Sequence, residues 1–374
     1  MRFLKAVFVL AGMIIGAGMF AIPFSFAQTG FWLGAVELAV LSGVMLLLHL
    51  LYGEIVLATP QFHRMPGYSR IYLGHRAAAV SWTSSLFGII GTLVAYLIIG
   101  SLFLETVLLR IRPGIGIFSL VVGLACFVAL ITFFPLKKES AINGILTIFE
   151  IAFVAGLSLL LMRHVAPVHL TGVDLSSIFV PYGILLFALS GASVIPDLVT
   201  VLGREKRKVR AAIVVGSLIP AILYFFFAFA VVGVTGFATS TEAIAGLGRA
   251  VGGNVVLFAS MAGFLAVLTS FIALSANFQA MLSLDLNMPR RMAWIAASAV
   301  PFLLYLAGFQ NFIAIVSIVG VFAFGIDGIL LFFMGRAVRK KQDSSSPIAS
   351  LAGYAILAVI LIGVLAQLLP LFSR

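Results

Sequence analysis

IGAGMFAIP (residues 15–23) and LSGASVIP (residues 189–196) each join a glycine cluster to a proline inside a long apolar run. Gly18 and Gly191 stand 173 positions apart, and so do Pro23 and Pro196. Glycine lets a helix unwind and lets a ligand approach the backbone, and Pro23 suits the first turn of a helix that restarts. Two membrane segments interrupted alike, at matching places in two halves of a chain, are the sequence pointer to a transporter built from inverted repeats, with its cargo held at the breaks. The expectation is a protein that moves a small solute across a membrane.

The surrounding composition agrees. Of 374 residues, 63% are hydrophobic and 9% charged, and the mean hydropathy is +1.23, more apolar surface than a water-soluble domain can hide. Crossing the hydrocarbon takes roughly 20 apolar residues. Such stretches occur at about residues 3–28, 31–58, 80–108, 114–135, 141–163, 177–199, 211–234, 253–283, 292–308, 311–335 and 348–371, which makes eleven spans. The runs are continuous and lack the period-2 alternation of barrel strands, so a β-barrel is excluded. The net charge of +11 is a matter of topology, since 18 of the 23 Lys and Arg lie before span 1 or after spans 2, 4, 6, 8 and 10. The positive-inside rule then places the N-terminus in the cytoplasm and, with an odd number of spans, the C-terminus outside. No nucleic-acid partner is implied. The densest basic loop, GREKRKVR (residues 203–210), lies near anionic headgroups and reads most simply as an orientation signal. The first apolar run is longer than a signal-peptide core and carries the glycine motif, so it reads as a retained span. The single Cys126 rules out an intramolecular disulfide framework.

A helix interrupted at bilayer depth is tolerated only where the freed backbone groups meet protein, water or ligand. A restarting half-helix presents free N–H groups, which favour a carboxylate, and the carbonyl end of the preceding half-helix favours an ammonium. Together they match a zwitterionic amino acid. Close helix packing through Gly12-x-x-x-Gly16 is the alternative for the first glycine run taken alone.

IGAGMFAIPFSFAQTGFWLG (residues 15–34) resembles the first-helix signature of the amino acid/auxin permease family of the APC superfamily, especially its bacterial aromatic and hydroxy amino acid permease branch. PYGILLFALSGASVIPDL (residues 181–198) resembles that family's sixth helix, and GYSRIYLG, GTLVAYLIIG and FPLKKESAINGI also fit its pattern. The resemblance implies an all-α integral membrane protein of the bacterial cytoplasmic membrane with the LeuT-type 5+5 inverted-repeat fold and its N-terminus inside. The repeats would cover about residues 3–163 and 177–335, with an added eleventh helix at about 348–371. It also implies a secondary active amino acid transporter. Carried over by position, it puts the substrate carboxylate near the amides of Gly16, Ala17 and Gly18, and the amino group near the carbonyls of Phe187, Ala188 and Ser190, beside Gly191. Phe187 would cover the site, Tyr96 would offer its hydroxyl to the carboxylate, and Ser193, Phe187 and span 3 would set side-chain selectivity. A core or lipid-facing phenylalanine, and a tyrosine bonded to a neighbouring helix, are the plain alternatives.

For the driving ion, AVLTSFIALSANFQAM (residues 266–281) is similar to the helix that completes the second sodium site in sodium-coupled relatives of this fold. That resemblance implies one sodium ion held by the hydroxyls of Thr269 and Ser270 and the carbonyls of Ala266, Gly12 and Ile15, a set of hard oxygens. Hydroxyls bonded back to their own helix are the alternative. The other sodium position has no support, because Met19 stands where an asparagine would be and Ala188 where a threonine would be. Proton coupling competes, and bacterial members of the resembled branch are generally proton symporters. An ionisable residue deep in the membrane is a functional hypothesis by default. Glu150 in the middle of span 5 is the first candidate and Asp327 in the inner half of span 10 the second, although either would also serve as a structural lock. No catalytic cluster or metal motif marks an enzyme. The reading is therefore a proton- or sodium-coupled symporter working by alternating access, without a cofactor and with its oligomeric state open. The other reading is a membrane sensor that binds an amino acid without net transport.

Overall fold

The computed structural model describes residues 2–109, 114–134, 140–341, 354 and 357–367, and among these it contains helices and no strand. The first span is two helices, α1 (Arg2–Ile14) and α2 (Gly18–Thr29), bent by 54° at the glycine cluster. α3 (Phe31–Ala58) matches the expected second span residue for residue. A short helix on the basic side, α4 (Met65–Leu73), leads to α5 (His75–Leu108), α6 (Ile117–Phe133) and α7 (Ser140–Leu161). The sixth span is again divided, into α8 (Val180–Ala188) and α9 (Ile195–Val201). After α10 (Lys206–Thr235) come the single turn α11 (Gly248–Val251), α12 (Gly253–Asp285) and α13 (Arg290–Leu306). The tenth span runs from α14 (Phe312–Val319) through a π-helical stretch, Gly320–Phe324, into α15 (Gly325–Lys341). The described part of the eleventh is α16 (Leu357–Gln367). Residues 348–353, 355–356 and 368–371 of that expected helix lie outside the described residues, as do residues 135–139 of FPLKKESAINGI.

Each of the first four spans packs against the span five places later: α2 on α8, α3 on α10, α5 on α12 and α6 on α13. These helices are apolar all round, as expected of elements that meet protein on one side and lipid on the other. Leu159 and Phe258 are each 71% exposed, which places apolar surface where only hydrocarbon is a compatible solvent. Gly30 makes the tight turn from α2 to α3 with a φ of 97°, a conformation that side chains strain to adopt.

Polar contacts are spent on fixing helix ends. On the basic side the Arg204 guanidinium donates to the carbonyls of Val56, Leu57 and Thr59 at 2.9, 2.9 and 2.7 Å, and so caps α3. Glu54 of α3 pairs with Arg339 of α15 at 3.2 Å and with Arg210 of α10 at 3.8 Å. α16 is clasped to α8 and α14. Tyr182 donates to the Ile360 carbonyl at 3.0 Å, Ser317 donates to Gln367 at 2.9 Å, and the Gln367 amide donates to the Phe179 carbonyl at 2.7 Å.

Candidate substrate and coupling site

The two breaks face each other. A Cβ built on Gly18 would stand 2.8 Å from the Ala188 Cα and 2.8 Å from the Phe187 ring, and one on Gly191 would stand 2.6 Å from Ile14 Cγ1. Phe187 and Ile14 are themselves 173 positions apart, like Gly191 and Gly18. The contact is therefore reciprocal, as a two-fold relation between the halves demands. At both positions a side chain has no room, because the Ala188 backbone and the Phe187 ring stand against Gly18 and the Ile14 and Leu10 side chains stand against Gly191.

Among the described residues, the amides of Gly16, Ala17 and Gly18 donate to no backbone carbonyl, whereas Ile15 still donates to Ala11 at 2.8 Å. These three N–H groups are the ones expected to receive a carboxylate. In the other break α8 stops at Ala188, and residues 192–194 form a 3₁₀ turn before α9 begins. The prolines do not occupy equivalent places. Pro196 sits in the first turn of α9, but α2 restarts at Gly18, so Pro23 falls in its second turn. There it withholds the N–H that Met19's carbonyl would otherwise receive.

Of the carbonyls expected to meet the amino group, that of Phe187 accepts from the Ser190 amide at 3.2 Å, and that of Ala188 lies 3.1 Å from the Tyr224 hydroxyl. Each keeps a second lone pair for a ligand. Phe187 is buried, stands over Gly18 and meets Phe324 of the π-helical stretch at 5.8 Å between centroids, which excludes the lipid-facing alternative. The Tyr96 hydroxyl would stand 3.3 Å from a Cβ on Gly16, pairs with Ser270 and so does bond a neighbouring helix, at the first break. Ser190 is half-buried, and Ser193 in the 3₁₀ turn is exposed.

Three of the rival coupling residues, Ile15, Glu150 and Ala266, line one narrow crevice together with Gly16 and Ala17. Glu150 is 6% exposed and lies close enough to the Tyr96 and Tyr224 hydroxyls to interact electrostatically with both. Thr269 donates to the Ala266 carbonyl at 3.0 Å, so this hydroxyl is bonded back to its own helix. Gly12 serves packing: a Cβ there would overlap the Thr147 hydroxyl of α7. Asp327 is not brought to the crevice. It accepts from Ser84 of α5 at 3.0 Å and ties α15 to α5, as a lock would.

Two residues that complete the breaks escape the sequence reading. Tyr224, fully buried in α10, has its hydroxyl 2.7 Å from the Ile14 carbonyl and 3.1 Å from that of Ala188, the last residues of α1 and α8. His49, fully buried in α3, lies between Ser217 of α10 and the Gly191 amide. The available signal was a phenol and an imidazole at bilayer depth, each of which needs a partner.

A family model for the tryptophan/tyrosine permease family matches residues 1–370. The chain belongs to that family. This permease is 26% identical over 238 residues to the low affinity tryptophan permease of Escherichia coli O157:H7, a match covering 61% of the chain and 57% of that protein's length. Among solved structures the permease is similar to MhsT in complex with L-phenylalanine, with a TM-score of 0.68, 15% identity and 98% of each chain covered. It is also similar to the Eremococcus coleocola manganese transporter, with a TM-score of 0.66, 14% identity and coverage of 98% of this chain and 86% of that one. These likenesses show the fold, which is LeuT-type, and the permease is a multi-pass membrane protein.

Proposed function

We propose that this permease carries an aromatic amino acid across the membrane together with a proton, by alternating access at the paired breaks. The observation that carries the reading is that Gly16 and Ala17, two of the three residues with free amides, line the same crevice as Glu150. A substrate carboxylate received by those amides lies beside a second carboxyl group. Two like charges about 5 Å apart repel by about 3 kcal/mol at an effective dielectric of about 20, so the pair favours one shared proton. Substrate and proton then bind together, which is the thermodynamic requirement of symport. Phe20, Phe187 and Tyr96 surround the breaks with aromatic faces suited to an aromatic side chain. The tryptophan permease among its relatives and the L-phenylalanine held by MhsT support the same substrate class. A sodium ion is the weaker reading, because only Ile15 and Ala266 of its five expected ligand residues line the crevice.

The test is uptake of radiolabelled tryptophan, tyrosine and phenylalanine into liposomes holding the purified protein, driven by an imposed pH gradient or by a sodium gradient at equal pH. Accumulation of at least one of the three under the pH gradient alone is expected. No uptake of any would sink the substrate class, and uptake driven only by sodium would sink the role given to Glu150.

A further inference from the structure

His49 stands behind the break in the sixth span. Its Nε2 lies 3.3 Å from the Gly191 amide nitrogen and its Nδ1 lies 3.0 Å from the Ser217 hydroxyl of α10. A backbone amide can only donate, so Nε2 must present a lone pair. In a neutral imidazole the proton then resides on Nδ1, which donates it to Ser217. The Gly191 amide needs this acceptor. In a continuous helix it would donate to the Phe187 carbonyl, but α8 has ended, and that carbonyl accepts from Ser190 instead. A buried amide left without an acceptor is costly.

Gly191 also presses on α1, close to Ile14 and Leu10, and the carbonyls of Ala188 and Ser190 lie within three residues of it. Ser217 and Tyr224 are two turns apart on one face of α10. That helix therefore supports both breaks, directly through Tyr224 and through His49 by way of Ser217.

We propose that His49, as the Nδ1–H tautomer, is a positioning residue that holds the Gly191 peptide, and with it the carbonyls facing the substrate amino group, in the binding geometry. This rests on the amino acid reading above. Glutamine sets its amide oxygen about where Nε2 lies, and asparagine sets its amide nitrogen about where Nδ1 lies. His49→Gln thus keeps the acceptor for Gly191, and His49→Asn keeps only the donor to Ser217.

In proteoliposomes the tryptophan KM is expected to rise about tenfold or more in His49→Asn and to stay within about threefold of wild type in His49→Gln. The two variants should melt alike. Equal KM values in the two variants would overturn the proposal. Should either variant fail to fold, nitrogen NMR of wild-type protein labelled with ¹⁵N-histidine decides. A protonated Nδ1 and a bare Nε2 at His49 are expected, and the opposite tautomer or an imidazolium would overturn the proposal. The spectrum needs no substrate, so wild-type protein that takes up no amino acid would sink the transport reading while the His49 contact is still judged by its tautomer.

Discussion

Tyr224→Phe removes one hydroxyl and leaves the volume of a fully buried ring unchanged. That hydroxyl donates to the Ile14 carbonyl at 2.7 Å, with the Ala188 carbonyl 3.1 Å away, and these are the terminal carbonyls of α1 and α8. Helix-end carbonyls have no intrahelical donor. Leaving a buried acceptor unsatisfied costs about 1–3 kcal/mol. Borne by the substrate-binding arrangement, that cost weakens affinity about 5- to 150-fold; borne by the folded state as a whole, it lowers the melting temperature instead. The assay is tryptophan binding and thermal unfolding of purified Tyr224→Phe beside Tyr182→Phe, whose hydroxyl reaches the Ile360 carbonyl of α16. We expect Tyr224→Phe to lose affinity by about fivefold or more, and Tyr182→Phe to lose stability with affinity retained. Wild-type affinity together with a wild-type melting temperature in Tyr224→Phe would refute the argument that this hydroxyl sustains the breaks.

Gly18→Ala places a methyl group 2.8 Å from the Ala188 backbone, which cannot rotate away. An overpacking cost of about 1–3 kcal/mol should abolish most uptake, whereas Gly43→Ala in α3, where a Cβ meets nothing within 4 Å, should transport normally. Glu150→Gln should retain exchange of internal for external tryptophan but lose accumulation driven by a pH gradient, and a normal pH-driven accumulation ratio would remove Glu150 from the coupling. Asp327→Asn keeps an acceptor for Ser84, so its uptake should remain pH-driven, and loss of that drive would move the coupling to α15. Outside the membrane, the hydroxyl and amide of Ser176, and then the Ser177 hydroxyl, hold the Asp174 carboxyl below the usual carboxylate range. Its contribution is present above the unfolded value of about 3.9 and is lost as pH falls through the depressed folded one. The protection of the amides of residues 174–178 against hydrogen exchange, taken relative to the intrinsic rate at each pH, should therefore fall only below about pH 4.

The paired breaks were legible because membrane insertion forces the backbone to satisfy itself locally. A glycine cluster inside an apolar run is then an anomaly visible in one dimension, and its repetition at a fixed offset adds the symmetry. The same logic placed α3 residue for residue and singled out Glu150, which lines one crevice with Gly16 and Ala17, two of the residues that the family resemblance implied for the substrate. It misjudged Pro23, because the residue at which a helix restarts depends on what the first turn packs against, here Ala188 and Phe187. It left Thr269 open between an ion ligand and a hydroxyl bonded back to its own helix, and the structure has that hydroxyl donating to the Ala266 carbonyl three residues back.

Sequence alone determined the membrane class, the division of the first and sixth spans and the backbone groups set free there, since each follows from local composition and from hydrogen bonds made within a few residues. Only the tertiary structure decided what satisfies those groups. Tyr224 reaches Ile14 across 210 positions and His49 reaches Gly191 across 142, and Asp327 is bound to Ser84 across 243. A buried polar side chain takes whichever partner the packing of helices brings within about 3 Å, and that choice leaves no periodic trace along the chain.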